Sequence, residues 1–180
     1  MRQALWAFGF IGLLAVGGLA LAIIRGDESF GIGRLWERIA GPADLGPIDF
    51  ASIRRSASGN DALFCPAGLC GSAPVDGIAP VFAAPIRQLR QAVQLIQVNS
   101  PDVEPVFRQP DGLDERYVAR TALMRFPDTI NVRYIDLGNG RSTIALHSRS
   151  QIGRKDFGVN KARLESWIKL LGETLPVARD

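Results

Sequence analysis

The chain has 180 residues, 21 Lys and Arg against 18 Asp and Glu, and a net charge of +3. This small basic excess excludes a composition built for nucleic acid. Two cysteines and one histidine cannot assemble the usual four-ligand structural zinc sets in one chain.

Ala4 to Ile24 contains no charged residue and is bracketed by Arg2 and Arg25, with Trp6 near one end. About 20 apolar residues suffice to span a bilayer, so residues 1–25 read as a transmembrane anchor. A cleaved signal peptide is the other reading, with Ala20-Leu21-Ala22 as its cleavage site, although its apolar core is normally shorter, about 7–15 residues. Residues 26–58 are broken by Gly26, Gly31, Gly33, Gly41, Pro42, Gly46 and Pro47. They read as a tether, with a short amphipathic helix carrying Leu35, Trp36 and Ile39. The remainder, 59–180, is long enough for one α+β domain with its own core.

Within that domain, Cys65 and Cys70 occur as Cys-Pro-Ala-Gly-Leu-Cys. They form a small-loop disulfide if the domain faces an oxidising space; two reduced cysteines are the alternative. Ala79 to Ala83 suits an edge strand because it carries a proline. After Pro85, the residues Ile86, Leu89, Val93 and Ile96 recur at helical steps. From Val103 the period changes to two: strands are expected at Val103–Phe107, Tyr117–Phe126, Thr129–Leu137 and Ser142–Ser148. The third and fourth are joined through Asn139-Gly140, a hairpin signal. Ile144 and Leu146 share one side of the last strand, with His147 on the other. A helix from Gly158 to Leu175 closes the chain on a stripe of Leu164, Ile168, Leu171 and Leu175. The expected fold is an antiparallel meander sheet covered by one mid-chain helix and one long C-terminal helix.

Ser148-Arg149-Ser150, Ile152-Gly153, Asp156, Gly158-Val159-Asn160 and Arg163, together with Leu123-Met124-Arg125-Phe126-Pro127-Asp128, give the chain its resemblance to a known family. From about Asp61 to Leu171 it resembles the domain of unknown function 1499 family of bacterial and plastid proteins. Many members carry an Asn-Cys-Val-Ser-Ser-like segment at the front of the domain. Here that region reads Asn60-Asp61-Ala62-Leu63-Phe64-Cys65, which shares only an asparagine and a cysteine. The resemblance implies fold and boundaries but no activity.

Two readings of the stretch from Arg149 to Arg163 stand side by side. In one, Arg149, Arg154, Lys155, Asp156, Asn160 and Arg163 hold an anionic ligand or lipid headgroup near the start of the last helix. In the other, Asp156 or Asn160 caps that helix, and the arginines pair with Asp128, Asp136 or Asp156. A nucleophile–base pair of Cys65 with His147, oriented by Asp128 or Asp136, is the enzymatic alternative. No cofactor, catalytic or metal-binding motif accompanies it. The reading that results is an α+β module, not an enzyme, tethered to a bacterial inner membrane and facing the periplasm. Its partners are the bilayer, an apolar or anionic ligand between sheet and helix, or a membrane protein that it scaffolds.

Overall fold

The computed structural model describes residues 32–178, together with Gly12, residues 16–18 and Ala20. The expected membrane span therefore falls for the most part outside the described residues. Among the described residues no helix is long and apolar enough to cross a membrane.

Helix α1 (Ile32–Ala40) comes first, and a strap of irregular chain then leads to β1 (Asp61–Cys65) and β2 (Gly77–Ile78). Next come α2 (Ile86–Val98), β3 (Val103–Arg108), β4 (Asp114–Arg120), β5 (Pro127–Gly138), β6 (Arg141–Ser150) and α3 (Val159–Thr174). One six-stranded sheet runs in the order β2-β1-β6-β5-β4-β3. Strands β3 to β6 form the expected meander, and β1 adds antiparallel to β6.

The sheet is nevertheless mixed, because β2 pairs parallel to β1. Residues 66–76 loop back past the start of β1 instead of making a hairpin, and the Asp76 carboxylate accepts from the Leu63 N–H at 2.9 Å. The edge strand expected over Ala79–Ala83 shrinks to bridges of Phe82 with Ser142 and Val177. Pro80 has no N–H to give a ladder, which limits pairing there. The strand expected at Tyr117–Phe126 lies earlier, at Asp114–Arg120. Residues 121–126 form a turn instead, closed by the Thr121 hydroxyl accepting from Phe126 N–H at 3.0 Å, with Arg125 at φ 53°.

Alternation along the strands creates two unlike faces. On the first, Ile130, Val132, Ile144 and Leu146 pack under α2 (Leu89, Val93) and α3 (Leu164, Leu171), all of them buried. Trp167 meets Tyr117 edge-on with centroids 5.8 Å apart. The space between sheet and helices is thus filled by side chains.

Glu115 lies in this core, almost fully buried. Its carboxylate accepts from the hydroxyls of Tyr117 and Tyr134, the latter at 2.8 Å, and from Gln94 Nε2 at 3.1 Å. Arg90 and Arg108 stand 3.6 and 3.9 Å away. A buried carboxylate persists only when its lone pairs are used in this way.

The second face is covered by the strap of residues 41–59, which glycine and proline spacing reads as tether. Phe50 and the partly buried Ile48 and Ile53 pack with Leu63, Cys65, Cys70 and Ala145 in a second apolar cluster. Asp49 caps the single 3-10 turn that carries Phe50 inward. The Thr129 hydroxyl donates to Ala43 O at 3.0 Å and accepts from Leu45 N–H at 2.9 Å. Asp44 pairs with Arg116 through both carboxylate oxygens. The apolar residues of the strap follow no helical or strand period because the strap is laid on the sheet as loop.

Tyr117 and Tyr134 are the only tyrosines. Burial first, then the hydrogen bond and charge of Glu115, pushes the Tyr117 phenol above its usual range. Burial, then the charges of Tyr117 and Glu115, does the same to Tyr134. The folded chain therefore keeps phenol protons that the unfolded chain releases from about pH 10. The resulting stabilisation is complete below that pH and is lost as pH rises above it. Phenolate absorbance should stay absent until near-ultraviolet dichroism collapses. Half-ionisation near pH 10 in a still-folded chain would contradict this placement.

Candidate functional site

The residues expected to form one binding site at the closing stretch divide among three environments. Asp156, Asn160 and Arg163 belong to one hydrogen-bonded network at the start of α3, with Asn160 buried and the other two half-buried. The Asp156 carboxylate accepts from the N–H groups of Gly158 and Asn160 at 3.0 and 3.1 Å. Those helix donors are thereby taken, leaving little for an external anion. Asn160, fully buried, donates to Ser150 Oγ at 2.9 Å and Asn60 O at 3.3 Å, and accepts from the Ser148 hydroxyl. Arg163 donates to Asn160 Oδ1, to Ser148 Oγ and, at 2.7 Å, to the buried Asp128 carboxylate. Asp128 therefore serves Arg163 on the helix side of the sheet.

Arg154 and Lys155 sit exposed on the loop between β6 and α3. Arg149 lies on the opposite face of the sheet, beyond His147 on β6. There the strap and the sheet enclose a cleft of about 300 Å³ whose lining includes Asp49, Arg54, Thr129, Asn131, His147 and Arg149. Small-molecule sites start at roughly this size. Thr129, Asn131 and His147 are buried, while Arg54, Arg149 and Asp49 are exposed around them.

The β1–β6 register positions the chemistry. Asp61 lies opposite Arg149 and Leu63 opposite His147, so Asp61 and His147 share this face. The His147 imidazole, 4% exposed, meets the Asp61 carboxylate through Nε2 at 3.1 Å. Asp61 also accepts from Arg55 Nε at 3.0 Å and from Ser56 N–H at 3.1 Å. Burial alone would raise the Asp61 carboxyl. Hydrogen bonds from His147, Arg55 and Ser56 outweigh it and hold Asp61 well below the usual carboxylate range. An ionised Asp61 accepts a hydrogen bond from Nε2–H, which in the neutral ring leaves Nδ1 as an acceptor. That Nδ1 is buried and has no protein partner. Such an atom carries a desolvation cost of about 1–3 kcal/mol unless a donor meets it.

Cys65 and Cys70 are joined in a disulfide, with Cα atoms 6.3 Å apart. Cys65 lies on the same face as His147 but has no thiolate to offer in this form, so a Cys65–His147 nucleophile pair would first require reduction. Asp61, Arg55, Arg54, Thr129 and Asn131 escape a reading of motifs. Their one visible signal is Asn60-Asp61 just ahead of a strand, and the partner histidine is 86 residues away.

Asp61→Asn should cost about 3 kcal/mol of stability at pH 7, since it removes the buried charge that Arg55 Nε, Ser56 N–H and His147 Nε2 meet, although Arg55 keeps Asp76 at 2.9 Å. Asp61's lowered pKa also adds stability that is present above about pH 4 and disappears as pH falls further. Urea unfolding across pH 3–7 should show this acid-side loss in the wild type and a shallower one in Asp61→Asn. Equal slopes would remove Asp61 from this role.

Residues 55–171 match the family model described as protein of unknown function (DUF1499). No curated protein matches the chain significantly.

Proposed function

We propose that this chain, which belongs to the DUF1499 family, is a membrane-anchored, non-enzymatic module that binds a small oxyanion bearing a hydroxyl. The anchor is the uncharged run from Ala4 to Ile24, and the domain faces the oxidising periplasmic side of a bacterial inner membrane, in keeping with the Cys65–Cys70 disulfide.

The observation that carries the reading is the unpartnered, buried Nδ1 of His147 in a cleft that Arg54 and Arg149 also line. Two guanidiniums suit a carboxylate or phosphoryl group. Asn131 adds a hydrogen-bonding side chain, Thr129 being engaged with the strap, and Nδ1 accepts a hydrogen bond from the ligand's hydroxyl. Asp49, the acid of the lining, is engaged by Ser52 and Ala51 N–H. The ligand thus lies between sheet and strap, on the face opposite the helices.

Full-length protein in detergent should bind inorganic phosphate or a short hydroxycarboxylate saturably in calorimetry. Arg149→Ala, at an exposed position, should weaken binding about tenfold, equivalent to about 1.4 kcal/mol, without lowering the melting temperature. An unchanged affinity in Arg149→Ala and Arg54→Ala would refute the cleft as the site.

A further inference from the structure

We propose that the domain lies against the bilayer through one end of its sheet, with the occupant of that surface being an anionic lipid surface. The inference rests on the anchoring of Ala4–Ile24 proposed above and adds an orientation to it.

Three segments meet where β4 and β6 end and β5 begins. Helix α1 is pinned there by Trp36, which donates from Nε1 to Met124 O at 2.6 Å and packs against the Phe126 ring, tilted by 54° with centroids 4.9 Å apart. Glu37 pairs with Arg120 at 3.0 Å. Gln151, in the loop before α3, donates to Gly41 O at 2.8 Å at the far end of α1. Trp36 and Glu37 thus hold one side of α1 against the domain, and Gly33 on that side is buried. The other side carries Leu35 and Ile39, 49% and 66% exposed, next to the exposed Arg34 and Arg38.

The neighbouring turns repeat this composition. Leu123 is 67% exposed, and Phe157 is 95% exposed on a residue with φ 54°. A bulky side chain held outward from the left-handed region is uncommon and costs conformational energy. Leu123, Met124, Phe126, Ile152, Phe157 and Val159 line a largely apolar groove of about 450 Å³, with Lys155 at its edge. Arg154 and Lys155 are exposed beside it, whereas Asp156 is committed to the α3 turn. The surface therefore offers aromatic and aliphatic side chains with Arg34, Arg38, Arg154 and Lys155 exposed among the same segments, while the acids Glu37 and Asp102 are paired with Arg120 and Arg125. Interfacial segments bind anionic lipid through this combination.

Chain length favours the bilayer over a soluble partner. Only residues 25–31 separate Ile24 from α1, a reach of at most about 28 Å. An anchor ending at Ile24 therefore keeps α1 and both turns close to the membrane. The Gly138–Asn139–Gly140 hairpin lies at the other end of β5 and β6, and this arrangement directs it away from the lipid.

The test uses the full chain in nanodiscs of phosphatidylcholine with and without phosphatidylglycerol. Nitroxides are attached through Phe157→Cys or, as reference, Asn139→Cys, the native cysteines being held as disulfide. With phosphatidylglycerol present, the label at 157 should favour oxygen over a water-soluble nickel relaxant, and the label at 139 should show the reverse. Arg154→Glu with Lys155→Glu should return the label at 157 to water. Equal water exposure at both positions in a chain that resists alkaline extraction would overturn docking while leaving the anchor. Release of the chain by alkali would remove the anchor itself. A label at 157 shielded from both relaxants in native membranes but not in nanodiscs would assign the surface to a protein partner instead.

Discussion

The structure depends on a pair of adjacent side chains at the entry to β1. Asn60 donates to Ser150 O and Gly153 O and accepts, through its own carbonyl, from Asn160. It thereby fixes the loop that launches α3. Asp61, one residue on, serves the other face, where Arg55, Ser56 N–H and His147 converge on its carboxylate. One dipeptide thus sets the helix-covered face and the strap-covered face against each other. Arg55 and Ser56 stand close by in the chain, whereas the remaining partners come from residues 147–160.

Two kinds of buried polar chemistry follow from this division. On the helix side most polar groups meet one another: Glu115 takes both tyrosine hydroxyls, and Asp128, Ser148, Asn160 and Arg163 form a chain of donors and acceptors, with Arg90 Nε left over. On the strap side the His147–Asp61 pair leaves two buried acceptor atoms without a protein donor, His147 Nδ1 and Asp61 Oδ1. An incomplete network beside an accessible cleft is the ground on which the cleft is proposed as a binding site.

Much of the fold was legible in the chain. The stripes Leu89–Val93 and Leu164–Leu171 announced α2 and α3 through their helical period, and the alternation through Ile130, Val132 and Tyr134 announced β5. The same alternation separated His147 from Ile144 and Leu146. The parallel β2 was not legible, because two residues carry no period. The strap was also hidden: Ile48, Phe50 and Ile53 were visibly apolar, but their docking depends on Thr129, Arg116 and Leu63 across the fold. Of the six residues first grouped as a site, Arg149 lines the cleft, Arg154 and Lys155 are on an exposed loop, and Asp156, Asn160 and Arg163 tie the last helix to the sheet. They are neighbours in sequence, and the end of β6 sends them to different faces.

The central claim is that His147 Nδ1 is the acceptor that meets a ligand in the cleft. Because His147 is the only histidine, its two ring nitrogens can be observed without ambiguity in a nitrogen-15 NMR spectrum. The ligand-free chain should show a protonated Nε2 and a bare Nδ1. Saturating inorganic phosphate, as the hydroxyl-bearing monohydrogen form, should shift Nδ1 toward a hydrogen-bonded value, leave Nε2 in place, and have no such effect in Arg149→Ala. A proton resident on Nδ1 at neutral pH, or a spectrum indifferent to phosphate and to hydroxycarboxylates alike, would contradict the claim.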